Sequence, residues 1–149
     1  MTNNEQFLLA TDGSTGAEKT IAYCKDTFAP ERVSFIVFHV IQPTPPDVEA
    51  DLMDSPMLGE MEKLKQQRST EIVEHGRNEL EEAGFDVKTA TPNGRAGIEI
   101  CDFAREQNMD GIVIGRKGHT ALGEILLGST SQYVIRHAPC PVTVVPLDY

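Results

Sequence analysis

The sequence has no tryptophan and only three cysteines in 149 residues. Cys24, Cys101 and Cys140 are far apart, odd in number and form no C-x-x-C pair. That excludes a disulfide framework and a cysteine-built zinc site, and reads as buried or spare thiols in a reducing, cytoplasmic setting. Cys140, fixed between Pro139 and Pro141, reads as buried packing. No run approaches the roughly 18 apolar residues a membrane helix needs. The opening MTNNEQFLLATDGS has no basic region ahead of its apolar stretch, and reads as a first strand rather than a secretory signal. Basic residues are also scarce: 13 Lys and Arg stand against 23 Asp and Glu, a net charge of −10. That argues against a nucleic-acid partner.

Several catalytic signatures are missing. There is no G-x-x-x-x-G-K-[ST], no G-x-G-x-x-G and no G-x-S-x-G, so P-loop hydrolysis, dinucleotide binding of the usual kind and serine-nucleophile chemistry have no support. His39, His75, His119 and His137 lack metal-ligand spacing. His39 lies in an apolar strand and reads as a satisfied core histidine. His119 reads as a surface residue, with contact to a phosphate as the alternative.

What is present fits one domain, residues 1–149. Five short apolar runs read as strands: Phe7 to Thr11, Val33 to Ile41, Asp86 to Ala90, Gly111 to Gly115 and Val142 to Val145. Several are nearly continuous, as in central parallel strands covered on both faces. Helical spacing falls between them, over Thr15 to Phe28, Leu58 to Ala83, Ala96 to Gln107 and Thr130 to His137. Gly84 sits where a C-terminal cap belongs, and Pro139 stops the last helix. Strands alternating with helices give an α/β fold of right-handed βαβ units on a parallel sheet. Gln42 to Gly59 interrupts the pattern with Pro43, Pro45, Pro46 and Pro56. Between Asp47 and Glu62 it holds six acids and no base. It reads as a mobile solvated loop, or as a lid that orders over ligand.

Charge is uneven. Residues 1–110 carry net −11, whereas residues 111–149 carry net +1 through Arg116, Lys117 and Arg136 against Glu124 and Asp148. The least anion-repelling region holds the densest motif. The strand Gly111 to Ile114 runs into Gly115, two residues, Gly118, nine residues, Gly128 and Ser129, and then a helix. Gly115 and Gly118 permit a turn whose backbone N–H groups converge with no side chain in the way. Gly128 and Ser129 open a helix, where free N–H groups and the dipole favour phosphate. Ser129 and Thr130 add hydroxyls; Arg116 and Lys117 add positive charge. Two turns and a helix cap require the same residues with no ligand at all.

A second motif, Ala10-Thr11-Asp12-Gly13-Ser14, ends the first strand. If that strand neighbours the fourth, Asp12 and Gly115 face one crevice beyond the strands' carboxyl ends. There Asp12 would accept from a ribose hydroxyl or hold a divalent cation. Alternatively, it only caps the turn into the next helix.

The Gly115-x-x-Gly118, nine-residue, Gly128-Ser129 spacing resembles the ATP-binding motif of the universal stress protein family. The stretch Tyr133 to Val142, the approach Asp110 to Gly115 and the opening strand ending Thr11-Asp12-Gly13-Ser14 resemble it too, so the likeness spans nearly the whole chain. It implies an open five-stranded parallel sheet in the order 3-2-1-4-5 with helices on both faces, a Rossmann-like fold. It also implies a cytoplasmic homodimer pairing through the last strand, Val142 to Val145. An apolar edge strand bracketed by Pro141 and Pro146 agrees, since pairing removes an aggregation-prone edge.

By position, the family implies adenine near Ala10, Thr11 and Val40, and ribose at Asp12 and Gly115. Phosphates would meet Lys117, Gly118, Gly128, Ser129 and Thr130, with Ile114, Arg116 and His119 alongside. Asp12 is the candidate ligand for magnesium or manganese beside ATP, ADP or AMP. Arg116-Lys117 departs from the small residue followed by Arg or His that relatives often carry, but keeps the charge. The function implied is a nucleotide-sensing regulator of stress response, with an unknown regulatory protein partner and slow or no hydrolysis, so not a true enzyme. A nucleotide-independent dimeric interaction module is the rival. A pyrophosphate-releasing ligase is a third reading, for which the chain leaves little room.

Overall fold

A computed structural model describes residues 4–116 and 127–149. Its elements run β1 (Glu5–Ala10), α1 (Thr15–Thr27), β2 (Val33–Phe38), α2 (Pro46–Leu52), α3 (Pro56–Glu82), β3 (Asp86–Ala90), α4 (Ala96–Glu106), β4 (Gly111–Gly115), α5 (Ser129–His137) and β5 (Val142–Val145). All strands are parallel, in the order β3-β2-β1-β4-β5. The expected Rossmann-like architecture is the observed one.

The side-chain period of two explains why the central strands read as unbroken apolar runs. Leu8, Ala10, Ile36, Phe38, Ile112 and Ile114 point to one face, where α4 and α5 supply Ile100, Cys101, Ala104 and Val134. Leu9, Phe35, Val37 and Val113 point to the other, against Ile21 and Cys24 of α1 and Val73 and Leu80 of α3. Every residue of β2 is buried. Each fully covered Leu, Val or Phe contributes roughly 1.5–3 kcal/mol of hydrophobic stabilisation.

Local chemistry sets the helix ends. The Ser14 side chain caps α1 by accepting from the Ala17 N–H. Gly84, at φ +97°, ends α3: its N–H donates to the Glu81 carbonyl, and the Phe85 N–H donates to the Leu80 carbonyl. Asn108, at φ 50°, does the same after α4, with Met109 N–H donating to Ala104. Both are six-to-one capping turns that need a left-handed residue. Burial pushes the Cys24 thiol up to about 12 and raises those of Cys101 and Cys140.

Two expectations need correction. The stretch from Gln42 to Gly59 is not a loop throughout, because α2 and the start of α3 lie inside it. Two of the four prolines there begin helices: Pro46 and Pro56 are first residues, where the missing N–H costs nothing. Cys140 is half-buried, not buried. Among the described residues no helix is long and apolar enough to cross a membrane.

Candidate functional site

In the order β3-β2-β1-β4-β5 the connections leave β1 and β4 in opposite directions. A crevice therefore opens beyond the carboxyl ends of these two strands. β1 and β4 do pair, with Ala10 opposite Ile114. A cleft of about 310 Å³ lies there, within the range of roughly 300–1,000 Å³ typical of small-molecule sites.

The cleft gathers most of the residues expected from sequence. Ala10, Thr11 and Asp12 come from the end of β1, and Val40 from beyond β2. Ile114, Gly115 and Arg116 come from the end of β4, and Gly128, Ser129 and Thr130 from the start of α5. Lys117, Gly118 and His119 lie outside the described residues.

The local geometry is specific. Thr11 N–H donates to the Phe38 carbonyl at 3.0 Å, so the chain stays in register with β2 up to the cleft edge. Asp12 Oδ1 accepts from Ser14 N–H at 3.0 Å, closing a turn into α1. Gly13 holds φ +76° in that turn, and a Cβ there would meet Ile72 Cγ1 at 2.8 Å. The capping duty weighed for Asp12 is thus real, and its carboxylate also borders the cleft. On the other strand, Gly115 is packed tightly: a Cβ would lie 3.0 Å from Thr20 Oγ1 and 3.5 Å from the Gly16 carbonyl. Ser131 Oγ donates to the Gly115 carbonyl at 3.1 Å, which ties the first turn of α5 to the tip of β4.

α5 begins one residue earlier than expected, at Ser129, with Gly128 as its cap residue and no side-chain cap. The first N–H groups of a helix lack intrahelical partners. Here that turn carries Ser129, Thr130 and Ser131, three hydroxyls on the cleft wall. Phe38, Val40, Ala96 and Ile100 add apolar lining to the same cleft. The cleft therefore offers both apolar surface for a flat ring and N–H and hydroxyl groups for an anion.

Sequence reasoning missed Ser14, Gly16 and Ala17 at the start of α1, and Phe38, His39, Gln42, Ala96, Ile100 and Ser131, as cleft residues. His39 is half-buried on the wall, not in the core, with Nδ1 2.6 Å from Ser69 Oγ. A signal existed for it, since it directly follows β2 at the carboxyl edge of the sheet. None existed for Ala96 and Ile100, which reach the cleft only through the packing of α4. Among the described residues, no group of three or more His, Cys, Asp or Glu is placed to hold a metal ion.

The family model described as the universal stress protein family matches residues 3–146. Universal stress protein Sll1654 of Synechocystis is 31% identical over 142 residues, covering 94% of this chain and 84% of that protein. Universal stress protein MJ0577 of Methanocaldococcus jannaschii is 30% identical over 154 residues, covering 95% and 94%. A solved structure of MJ0577 matches with a TM-score of 0.78 over 95% of each chain. A universal stress protein family protein from Arabidopsis thaliana, solved with AMP bound, matches in fold at a TM-score of 0.70 and 16% identity, covering 95% of this chain and 91% of that one.

Proposed function

The chain belongs to the universal stress protein family, and from that premise we propose that it binds an adenine nucleotide in the cleft between β1 and β4. The observation that carries this is the meeting, in one cleft, of apolar lining with the start of α5, whose cap residue Gly128 has no side chain. An adenine ring fits against Ala10, Thr11 and Val40, with Phe38 and Ile100 behind. Asp12 accepts from the ribose hydroxyls, with the tightly packed Gly115 leaving room beside it. Phosphates take the N–H groups and hydroxyls of Gly128, Ser129 and Thr130, where the helix dipole favours negative charge. Arg116 adds positive charge, and Lys117, Gly118 and His119 are assigned to the same phosphates. The AMP-bound Arabidopsis relative lends support through the shared fold.

The same arrangement supports slow or no hydrolysis. Phosphoryl transfer needs a group that positions the attacking water. Among the described cleft residues the one carboxylate is Asp12, which this reading assigns to the ribose. Magnesium or manganese would enter as a partner of the phosphates, with Asp12 as its carboxylate ligand. We assign the protein a nucleotide-sensing regulatory role, as a homodimer pairing through β5. That edge strand keeps Val142, Thr143 and Val144 half-buried between Pro141 and Pro146.

Equilibrium dialysis against ATP and magnesium tests the reading. Saturable uptake, abolished by Gly128→Val, is expected, because the branched side chain enters the phosphate end. No uptake at millimolar nucleotide overturns it. An unchanged melting temperature in ATP would favour a nucleotide-independent interaction module, since a ligand held by the native state must stabilise it.

A further inference from the structure

α3 has 27 residues and so runs about 40 Å at 1.5 Å per residue. Its buried residues, Ser69, Val73, Gly76 and Leu80, run from its midpoint onward. The first half stands clear of the core together with α2, which buries none of its residues. This elbow is nevertheless a built element. Thr44 Oγ1 donates to Glu62 Oε1 at 2.7 Å, and Lys65 Nζ donates to Thr44 Oγ1 at 2.7 Å and to the Gln42 carbonyl at 3.2 Å. Ser55 Oγ caps α3, accepting from Met57 N–H at 3.2 Å.

The elbow keeps large apolar side chains in water. Met53, Met57 and Leu64 are 71%, 57% and 64% exposed. Met57, Met61 and Leu64 fall at i, i+4 and i+7, on one helix face. Three of the chain's five methionines are here, and methionine is the side chain that repacks most readily against varied partners. Six acids surround the stripe: Asp47, Glu49, Asp51, Asp54, Glu60 and Glu62. The bases that follow are Lys63, Lys65 and Arg68; Lys65 is engaged with Glu62, Thr44 and Gln42, and the one base on the stripe's face, Arg68, lies at its far end.

Charge decides the occupant. A second copy of this face would set six carboxylates against six, and a nucleic acid or anionic lipid surface would be repelled in the same way. A helix with leucine-type residues on one side and lysine or arginine on the other satisfies both the apolar stripe and its acidic surround. We propose that the α2–α3 elbow is a docking surface for a basic amphipathic helix of another protein, laid along Met53, Met57, Met61 and Leu64. None of the four stripe residues lines the nucleotide cleft, although Lys65 ties the elbow to Gln42 at its edge. The surface is also compatible with pairing through β5, which lies at the opposite edge of the sheet from β3, against which α3 packs.

The test uses the full chain and a fluorescein-labelled helical peptide of leucine and lysine, about 18 residues long so that it can be helical when bound. A serine–lysine peptide of equal length and charge is the control. Saturable binding of the first is expected, with amide NMR shifts concentrated over residues 44–65 and the control at least about tenfold weaker, a difference of about 1.4 kcal/mol. Met53→Ser/Met57→Ser/Leu64→Ser should lose about the same factor without a change in melting temperature. Should that variant melt lower, Met57→Gln alone gives the same direction of change. Equal binding of both peptides overturns the proposal. So does an unaffected variant, or shifts spread over the molecule's other acidic surfaces. A variant that instead sediments as a smaller species than the parent makes the face a self-association surface and also overturns it.

Discussion

Replacing Asp12 by asparagine and by alanine separates the two duties this residue can have. Asp12 Oδ1 accepts from Ser14 N–H at 3.0 Å, in a turn open to solvent. Asparagine keeps that oxygen and loses only the charge, so its stability should change by less than about 0.5 kcal/mol. Alanine loses the bond as well. A single exposed hydrogen bond contributes about 1 kcal/mol, which lowers the melting temperature of a domain this size by roughly 2–4 °C. Nucleotide binding should follow a different pattern. A hydrogen bond to a charged acceptor is worth about 1.5–3 kcal/mol and a neutral one about 0.5–1.5. Asp12→Asn should therefore cost about 1–1.5 kcal/mol, a roughly five- to twelvefold rise in Kd. Asp12→Ala should cost the whole bond, roughly ten- to hundredfold. Equilibrium dialysis with ATP gives Kd, and urea unfolding gives stability on the same preparations. If Asp12→Asn binds as well as the parent, the carboxylate accepts nothing from the ribose and only closes the turn. If it binds more tightly, the carboxylate lies against the phosphates, and the assignment of the two ends of the cleft is reversed.

Gly13→Ala should destabilise by about 1–3 kcal/mol in urea unfolding, because φ is +76° and a Cβ would press on Ile72; an unchanged midpoint would contradict the turn geometry. Leu80→Ala, at a fully buried site where α3 meets β3, should cost about 2–5 kcal/mol, read as a lower urea midpoint at constant slope. Cys24 is held protonated by burial, with its thiol pushed up to about 12, whereas an unfolded thiol ionises near about 8.5. Its contribution is complete below that lower value and is lost as pH rises between the two. The stability difference between the parent and Cys24→Ala should accordingly shrink from about pH 8 to pH 10, and a flat difference would refute the burial argument.

The strands were legible because their chemistry is local. β2 is apolar at almost every position, which only a doubly covered parallel strand tolerates. β3 and β4 keep the bounds expected of them, and β5 sits between its two prolines. β2 was read three residues too long because apolar character continues through Val40 and Ile41. Those residues leave the ladder: Ile41 forms only an isolated bridge with Asn93, and Val40 faces the cleft. β1 was read too short at its start, since Glu5 and Gln6 are polar yet paired with Val33 and Ser34. α2 was illegible because four prolines suggest a loop, whereas proline at a first helical position favours the helix. At the site, glycine spacing and the acidic strand tip pointed to the phosphate and ribose ends. The apolar lining from Ala96 and Ile100 could not be read, because a helix face touches the cleft only after the whole sheet is assembled.

The cleft takes its walls from residues 10–17, 38–42, 96–100, 114–116 and 128–131. No fragment of the chain owns it, and a sheet lacking either β1 or β4 has no floor beneath it. Any molecule seated there works as a latch on the entire fold. It cannot leave by fraying of one edge, and amide hydrogens in β1, β2 and β4 would slow their exchange in step when it is present.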